Sequence, residues 1–412
     1  MLRSLFSAIS GLQAHQTKMD VVGNNIANVN TVGYKSSTTV FEDTLSQMLR
    51  NGSAPTATTA GTNPAQVGLG TKVAEIATNF SQGSTQSTGR STDFLISGDG
   101  FFVTKSGSQQ LYTRAGSFDI DGSGRLVTPD GNILQGWMAT NGTITANGPL
   151  QDLSIPAGKT LPPVATTKGA VTGNLSADAA DGTAVQKQVT MYDPLGNAHQ
   201  ISYVFTNTSG TTPNSWSVTA KDENGATLPT TPASIGWDTA TGTFTPASFS
   251  VDPSSLSPTA TWNPISVDLT AATQYGGPDS LAATTPVSGA GSALGTLESF
   301  SLGGDGTITG VFSNGLRQAI GQLAMANFAN PNGLIKAGNS SYEVGDNSGN
   351  PQIGLAGSGG RGTLQAGALE MSNVDLSQEF TGLIIAQRGF QANSKVITTS
   401  DQILQDLVNM KQ

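Results

Sequence analysis

The sequence contains no cysteine and only two histidines, His15 and His199. The absence of thiols excludes disulfides, thiolate metal sites and thiol catalysis. Neither histidine has a partner residue near it in the sequence, and no G-x-S-x-G, P-loop or H-E-x-x-H motif occurs. We therefore predict a protein that is not an enzyme and that uses no cofactor and no metal.

Charge and long apolar runs are also scarce. Charged residues make up 11% of the chain, whereas ordinary soluble domains carry about 25%. The net charge is −9 and the 19 basic residues are scattered. This excludes nucleic acid as a partner, because phosphate binding needs clustered Lys and Arg. No apolar run approaches the roughly 18–20 residues that cross a bilayer, and the start lacks the apolar region of a secretory signal. We predict no membrane insertion and no cleaved signal peptide.

Glycine is abundant, with 51 residues, and turn motifs recur through the middle of the chain. The stretch Phe94–Val103 reads as a strand, a Gly-rich turn and a second strand, and the stretch 129–132 is a further Pro-Asp-Gly-Asn turn. Another hairpin is centred on the turn Asp193–Asn197, after which Ile201 and Tyr203 alternate with less apolar residues. These patterns predict two mainly antiparallel β domains.

One motif among these strands imitates part of a calcium-binding loop. The spacing of Asp119, Asp121, Ser123 and Gly124 matches the start of an EF-hand, but an EF-hand needs a helix on each side and ends in a bidentate Glu. Here both flanks read as strands, and Asp130 belongs to its own turn. A hairpin turn is therefore the favoured interpretation.

Both ends of the chain carry apolar residues at helical spacing. The steps alternate between three and four residues from Leu2 to Ile26, and again from Leu376 to Val408. Asn373 is predicted to cap the second helix. Both helices contain glycines and few charge pairs, so they are weak alone and their apolar stripes need partners. Assembly between subunits is the favoured explanation, and an ordinary two-helix layer packed on a sheet is the alternative.

The predicted fold class is α+β. Long N- and C-terminal helices pair as a coiled-coil-like base and carry two mainly antiparallel β domains, the outer one inserted into the inner one. The predicted parts are a helical inner-core domain (1–30 plus 371–412), an extended linker domain (31–75 plus 355–370), an inner β domain (76–145 plus 301–354) and an outer inserted β domain (146–300).

Segments near both ends resemble the signatures of the bacterial flagellar rod and hook proteins. The N-terminal segment is Asn24–Lys35, and the C-terminal segments are Met371–Leu376 and Ala386–Asn393. Gly98–Phe102 and Tyr112–Phe118 resemble that family's shared β domain. Two further segments, Tyr192–Asn197 and Phe328–Leu334, are similar to hook-protein segments, whereas rod proteins lack most of the insertion at 146–300. The signature residues are Asn24, Asn25, Ile26, Ala27, Asn28, Gly33, Tyr34, Asn373, Gln387, Arg388, Gly389 and Phe390.

The resemblance implies a structural subunit of which many copies assemble into the hook, a curved, flexible tube that transmits torque from the motor rod to the filament. It implies export through the flagellar type III apparatus to an extracellular location. The implied partners are further copies of the chain, the distal rod protein, the hook cap and the hook–filament junction proteins. A distal-rod protein with an insertion is the alternative within the family, and a secreted β-rich adhesin is the alternative from another class.

In such a tube the paired terminal helices are expected to form the innermost layer, with neighbouring subunits filling their seams. A helical polymer arises when one contact repeats without closing into a ring. The predicted assembly interface consists of Leu5, Ile9, Leu12, Met19, Ile26, Phe380, Leu383, Phe390, Ile397, Leu404 and Leu407.

Overall fold

The structure is a computed structural model that describes residues 2–56, 59–146, 148–156 and 158–410. The chain divides into two compact units, and the second interrupts the first in sequence. The first unit comprises Met1–Pro156, Phe300–Thr309 and Gln318–Gln412, and the second comprises Ala157–Ser299 and Gly310–Arg317. Three strands have residues in both units: Gly295–Leu302, Thr307–Phe312 and Arg317–Leu323.

Two helices belong to the first unit: α1, Leu2–Ala27, and α2, Leu376–Asn409. We call them together the helical base. Within the described residues, neither helix has a segment long and apolar enough to cross a membrane. The predicted cap of α2 is wrong. The Asp375 carboxylate is the N-cap, because it accepts from the Ser377 N–H at 2.8 Å. Asn373 lies two residues earlier and binds other backbone groups.

The predicted linker segment 31–75 contains a two-stranded ribbon that the sequence analysis did not anticipate. The proximal ribbon pairs Ser37–Asp43 with Thr71–Thr78, and the distal ribbon pairs Ser46–Arg50 with Ala65–Gly68, both antiparallel. The proximal ribbon lies along α1. The Phe41 ring meets the His15 ring edge-on, with 5.9 Å between their centroids.

The remainder of the first unit is a β domain with an aromatic core. Phe101, Tyr112, Phe328 and Tyr342 pack edge to face there, and Trp137 is buried beside them. Its other elements are the strands Thr85–Ser87, Phe94–Ser97, Phe101–Ser106, Gln109–Thr113, Asp119–Ile120, Leu126–Val127, Ile133–Met138, Gln151–Asp152, Met325–Asn327, Ile335–Gly338, Ser341–Glu343, Gln352–Gly354, Thr363–Ala366 and Ala368–Glu370, and the short 3₁₀ helix Pro331–Gly333.

In this domain, the turn residues predicted where the strands lie but not which strands pair. Phe94–Ser97 and Phe101–Ser106 are both strands, but they do not pair with each other. The first pairs with Thr363–Ala366, and the second pairs with Gln109–Thr113. Gly98 and Gly100, with φ of 106° and 123°, direct the chain away from a simple hairpin.

The second unit has two sheets around a large apolar core. The predicted hairpin at Asp193–Asn197 is confirmed, since Ala184–Tyr192 pairs antiparallel with Ala198–Asn207. The pairing is not uniformly antiparallel, because Lys168–Ser176 pairs in parallel with Ile265–Asp268 and Ala272–Tyr275. The other elements are Thr160–Leu161, Ser215–Lys221, Thr227–Leu228, Thr230–Thr231, Ser234–Asp238, Thr243–Thr245, Ser248–Val251 and Ala282–Thr284, and the 3₁₀ helix Ser254–Leu256.

The chain is thus mostly β with one helix near each end, as the fold class predicted in outline. The division into four parts with the boundaries given above stays a prediction.

Candidate assembly surface

The two helices of the base pack against each other through small residues. A Cβ added at Gly11 would lie 2.7 Å from Asn393 Nδ2, and one added at Gly389 would lie 2.5 Å from His15 Nε2. Farther along, Gly382 faces Val22. These contacts run in antiparallel register, and Gly11 and Gly389 leave room for the side chains of Asn393 and His15.

The fully buried positions of the helical base extend the same small-residue seam. Ala8, Ala14, Ala386 and Ser400 are buried, together with Val22. From the sequence alone, the glycines indicate only a weakness of the helices. In the structure, they lie opposite His15, Val22 and Asn393 of the other helix, and most large apolar residues are left for other surfaces.

Most large apolar side chains of α2 are exposed in the single chain. Phe380 is 50% exposed and Ile384 57%, although burying such a side chain completely is worth ~1.5–3 kcal/mol. These exposed residues, which we call the outward stripe, are Leu376, Phe380, Ile384, Ile385, Phe390, Val396, Ile403, Leu404 and Val408, with Met410 just beyond the helix. A monomeric soluble protein rarely exposes so much apolar surface on one helix, and such surfaces mark interaction sites.

None of the predicted interface residues whose side chains are described is fully buried in the single chain. Ile9, Phe380, Phe390 and Leu404 are exposed. Leu5, Leu12, Met19, Ile26, Leu383 and Ile397 are partly buried. The side chain of Leu407 lies outside the described part of the structure. That these residues form an assembly interface stays a prediction.

The N-terminal signature joins the helical base to the ribbon. The buried Asn25 side chain accepts from the Ser37 N–H at 3.0 Å and donates to the Ser37 carbonyl and to Glu379 Oε1, both at 2.8 Å. The Tyr34 hydroxyl donates to Asn24 Oδ1 at 2.7 Å. Asn28 donates back to the Asn24 carbonyl at 2.9 Å. One asparagine thus fixes α1, the ribbon and the first turn of α2 together.

Gly33 lets this segment approach the β domain. Its φ is 68°, and a Cβ there would lie 2.5 Å from the Ala115 nitrogen. Its N–H donates to the Glu370 carbonyl at 2.8 Å. No residue with a Cβ fits this position without moving the backbone.

The other signature residues have diverse surroundings. Asn373 accepts from the Ser36 N–H and donates to the Asn79 carbonyl, both at 2.8 Å. Gln387 is exposed, and Arg388 is exposed and donates to Gln391 at 3.2 Å. Ile26 is partly buried, Ala27 is exposed, and Gly389 and Phe390 belong to the seam and the outward stripe. Asn25 and Gly33 are thus buried at an intramolecular junction, and the other asparagines and Tyr34 form hydrogen bonds at its edge.

A buried ion cluster that the sequence analysis missed lies beside this junction. Lys35, Arg114 and Glu370 are all buried. Lys35 Nζ contacts Glu370 Oε1 and donates to the Ser81 carbonyl at 2.8 Å. Arg114 Nη1 lies 3.5 Å from Glu370 Oε2, and Glu370 Oε1 accepts from the Gly83 N–H at 2.9 Å. The cluster ties the ends of both helices to the β domain.

Burial lowers the pKa of Lys35, and the adjacent Glu370 carboxylate opposes that shift. The signal for the cluster in the sequence was faint. Lys35 and Glu370 are 335 positions apart, and no local pattern joins them.

Burial raises the pKa of Glu379, the carboxylate bound by Asn25, and the nearby Asp375 carboxylate adds to the rise.

The other candidate residues have structural roles. Asp121 accepts from the Ser123 and Arg125 N–H groups, both at 2.8 Å, in a hairpin between Asp119–Ile120 and Leu126–Val127. This confirms the hairpin interpretation over the calcium loop. His15 lies in the helix seam, and His199 lies 3.7 Å from Asp193 Oδ2 in the second unit. In the described residues, no group of three or more His, Asp or Glu side chains could hold a metal.

Four family models match successive parts of the chain. The flagella basal body rod protein model matches residues 5–35, and the C-terminal model of the flagellar basal body rod FlgEFG proteins matches 365–410. The D1 domain model of the flagellar hook proteins FlgE/F/G matches 95–173, and the flagellar basal body protein FlaE D2 domain model matches 160–286. The helical base, the junction and both units therefore all carry matches.

Full-length relatives decide the family. The flagellar hook protein FlgE of Borreliella burgdorferi is 38% identical and aligns over 100% of both chains. That of Escherichia coli is 37% identical over 98% of this chain and 99% of its own. The chain belongs to the flagellar hook protein FlgE family. The flagellar basal-body rod protein FlgG of Bacillus subtilis is 34% identical over 100% of both chains. The expectation that rod proteins lack most of the insertion at 146–300 therefore does not hold for this relative.

Proposed function

We propose that this chain is the structural subunit of a flagellar hook and that it polymerises through the outward stripe of its helical base. One observation carries the proposal. Because Ala8, Gly11, Ala386 and Gly389 lie where α1 and α2 meet, most large apolar residues of α2 are left exposed within one chain. A family of axial flagellar proteins supplies the partner that covers them, which is a further copy of the chain.

The polymer is a curved, flexible tube whose innermost layer consists of the helical bases. The subunit leaves the cell through the flagellar type III apparatus. It meets the distal rod protein at one end of the tube, and the hook cap and later the hook–filament junction proteins at the other. Rigid β domains with small polar surfaces slide past one another as the tube bends. The subunit performs no chemistry, since its work is mechanical.

Deletion of residues 1–30 tests the proposal. The deletion removes α1, the N-terminal half of the seam and Asn25. We expect loss of both export and polymerisation, whereas an adhesin would keep its ligand binding. Secretion assays and electron microscopy of the polymer are the measurements.

A distal-rod subunit is the second candidate, because FlgG of Bacillus subtilis aligns over the whole chain. It is less favoured, since the hook relatives in spirochaetes and enterobacteria reach 36–38% identity. Electron microscopy of basal bodies from a deletion strain separates the two. A rod without a hook supports the hook subunit, and a truncated rod would contradict it.

A further inference from the structure

The distal ribbon has one apolar face. Gln47 pairs with Val67, so their side chains lie on the same face. Leu49 is the extra residue of a β-bulge, so it and Arg50 together oppose Ala65, which shares the face of Val67. Beyond the strands, the Leu69 N–H donates to the Leu45 carbonyl at 3.1 Å and extends this face. Leu45 is 82% exposed and Leu49 59%. Within the described part of the chain, most of the surface of these two side chains is uncovered.

Arg50 lies at the edge of the same face. The pairing register shifts between Met48 and Arg50, so Arg50 pairs with Ala65, which shares its face with Val67. Arg50 donates to the Asn63 carbonyl at 3.2 Å and forms no ion pair within the described residues. It is the only charge in the two strands of the distal ribbon. An isolated two-stranded ribbon is marginally stable in water, so the distal ribbon needs a covering surface.

α2 continues past the start of α1. Gly11 faces Asn393, and the same antiparallel register places Leu2 opposite Gln402. The last turns of α2, Ile403–Asn409, therefore have no α1 residue beside them. We call this segment the α2 end.

The α2 end matches the ribbon face in chemistry. Ile403, Leu404 and Val408 are exposed there. Leu404 and Val408 are four residues apart and are therefore neighbours on the helix surface. Its charges are acidic: Asp406 lies within the segment and Asp401 just before it. Neither carboxylate has an ion-pair partner in the part of the chain that the structure describes. The ribbon thus presents an apolar face with one cation, Arg50, and the α2 end presents apolar residues with one anion, Asp406.

The two surfaces also lie at the same distance along the base. Gly70 packs on Ser10 of α1 and bonds to the Thr44 N–H. Strand rise carries Arg50 about 20 Å past that point. Ser10 faces Ser394 in the helix register, and helix rise carries Asp406 about 18 Å past Ser394. A neighbour placed beside the chain, without a large axial shift, brings the ribbon of one copy level with the α2 end of the other.

We propose that the distal ribbon of one copy covers the α2 end of a second copy. Leu45, Leu49 and Val67 pack on Leu404 and Val408, and Arg50 pairs with Asp406. The proposal rests on the proposed function, because it names one contact within the polymer. This contact covers the apolar face of the distal ribbon, which is exposed in the single chain, and extends the polymer interface beyond the helices.

The absence of cysteine makes a direct test available. In the Leu49→Cys/Leu404→Cys double variant, oxidation of the assembled polymer should link each copy to the next and give a ladder of covalent oligomers. A disulfide forms only when the two Cα atoms lie within about 7 Å. Each single variant should give no ladder, and a polymer mixed from the two single variants should give dimers and nothing larger.

The matched control moves the cysteine to the other face of the ribbon. The Met48→Cys/Leu404→Cys variant should give no ladder under the same oxidation. A ladder from Met48 as strong as that from Leu49, a purely intrachain disulfide, or no disulfide in a polymer of normal appearance would overturn the proposal. Failure of the parent chain to polymerise at all would instead contradict the proposed function.

The charge pair gives a second test that needs no disulfide. Arg50→Asp should raise the concentration needed for polymerisation about two- to fivefold, and adding Asp406→Arg should restore it. Pelleting of polymer against concentration measures both. If the combined variant is as impaired as the single one, Arg50 and Asp406 do not face each other and the proposed contact is wrong.

Discussion

The second unit buries its large side chains within one chain, whereas the helical base leaves most of its own exposed. Trp216, Tyr203, Phe205 and Phe249 are all buried in the second unit. In α2, by contrast, Phe380 is half exposed. Both regions contain apolar residues at regular spacing. The difference is where the partners lie, since sheets supply a second layer within the chain and a two-helix base with a glycine and alanine seam does not.

Replacing one large apolar residue in each region should show the difference between the two regions most clearly. Trp216→Ala should destabilise the second unit by about 3–5 kcal/mol, because the buried side chain leaves a cavity. Phe380→Ala should change the stability of the dilute chain by less than about 0.5 kcal/mol and yet suppress polymerisation. Chemical denaturation followed by circular dichroism, together with pelleting of polymer, measures both effects. Equal losses of stability would show that α2 is already packed in the single chain.

The buried ion cluster lies where the helical base joins the β domain, and its contacts are complete within one chain. Lys35→Met removes the ammonium from Glu370 and from the Ser81 carbonyl but leaves Arg114 beside the carboxylate. We therefore expect a loss of about 1–3 kcal/mol in unfolding free energy. The control is Lys72→Met, which removes an exposed pair with Glu42 and should change stability by less than about 1 kcal/mol. Urea unfolding of the dilute chain measures both changes in free energy. Equal changes would show that the buried cluster stabilises the chain no more than an exposed ion pair does.

The small-residue seam predicts a smaller, position-dependent effect. Ala386→Leu forces a larger side chain between the helices and should destabilise their packing by about 1–3 kcal/mol. Ala392→Leu places the same substitution at an exposed position of α2 and should do less. The thermal dissociation of the polymer gives the readout. An Ala392→Leu polymer that dissociates earlier than the Ala386→Leu polymer would contradict the assigned seam.

The smallest effect concerns the carboxylate at the start of α2. Burial raises the pKa of Glu379, so its folded form favours the proton. Its stabilising contribution is present below the ordinary carboxyl range and is lost as pH rises through the raised pKa. Glu379→Gln mimics the protonated acid and still accepts from Asn25. We expect a gain of a few tenths of a kcal/mol at pH 7 that disappears below about pH 4. Thermal melts across this range measure it, and a gain that persists at pH 3 would contradict the assignment.

Local chemistry made part of this structure predictable from the sequence. The turn Asp193–Asn197 has its hydrogen bonds within five residues, so the hairpin followed from the residues alone. The terminal helices followed from periodicity. The parallel pairing of Lys168–Ser176 with Ile265–Asp268 joins strands about a hundred positions apart, and no local signal specifies that choice.

The packing of the two helices was less predictable than their existence. The apolar periodicity of α2 selected Phe380 and Leu404, which are exposed in the single chain, and their role in an interface stays a prediction. It did not show that Gly11 and Gly389 face the partner helix, since a glycine within a helix reads as a weakness until its neighbour is known. The junction around Asn25 and Lys35 depends on residues more than 300 positions away. Only the folded chain brings those residues together.

Hydrogen exchange of the helical base in the dilute chain and in the polymer tests the central claim most directly. We expect rapid exchange in the dilute chain at residues 394–409, slower exchange near Asn25 and Glu379, and protection of all of α2 in the polymer. The core strands of the second unit should be protected in both states. Strong protection along the whole of α2 in the dilute chain would contradict the claim that a neighbouring copy completes the base.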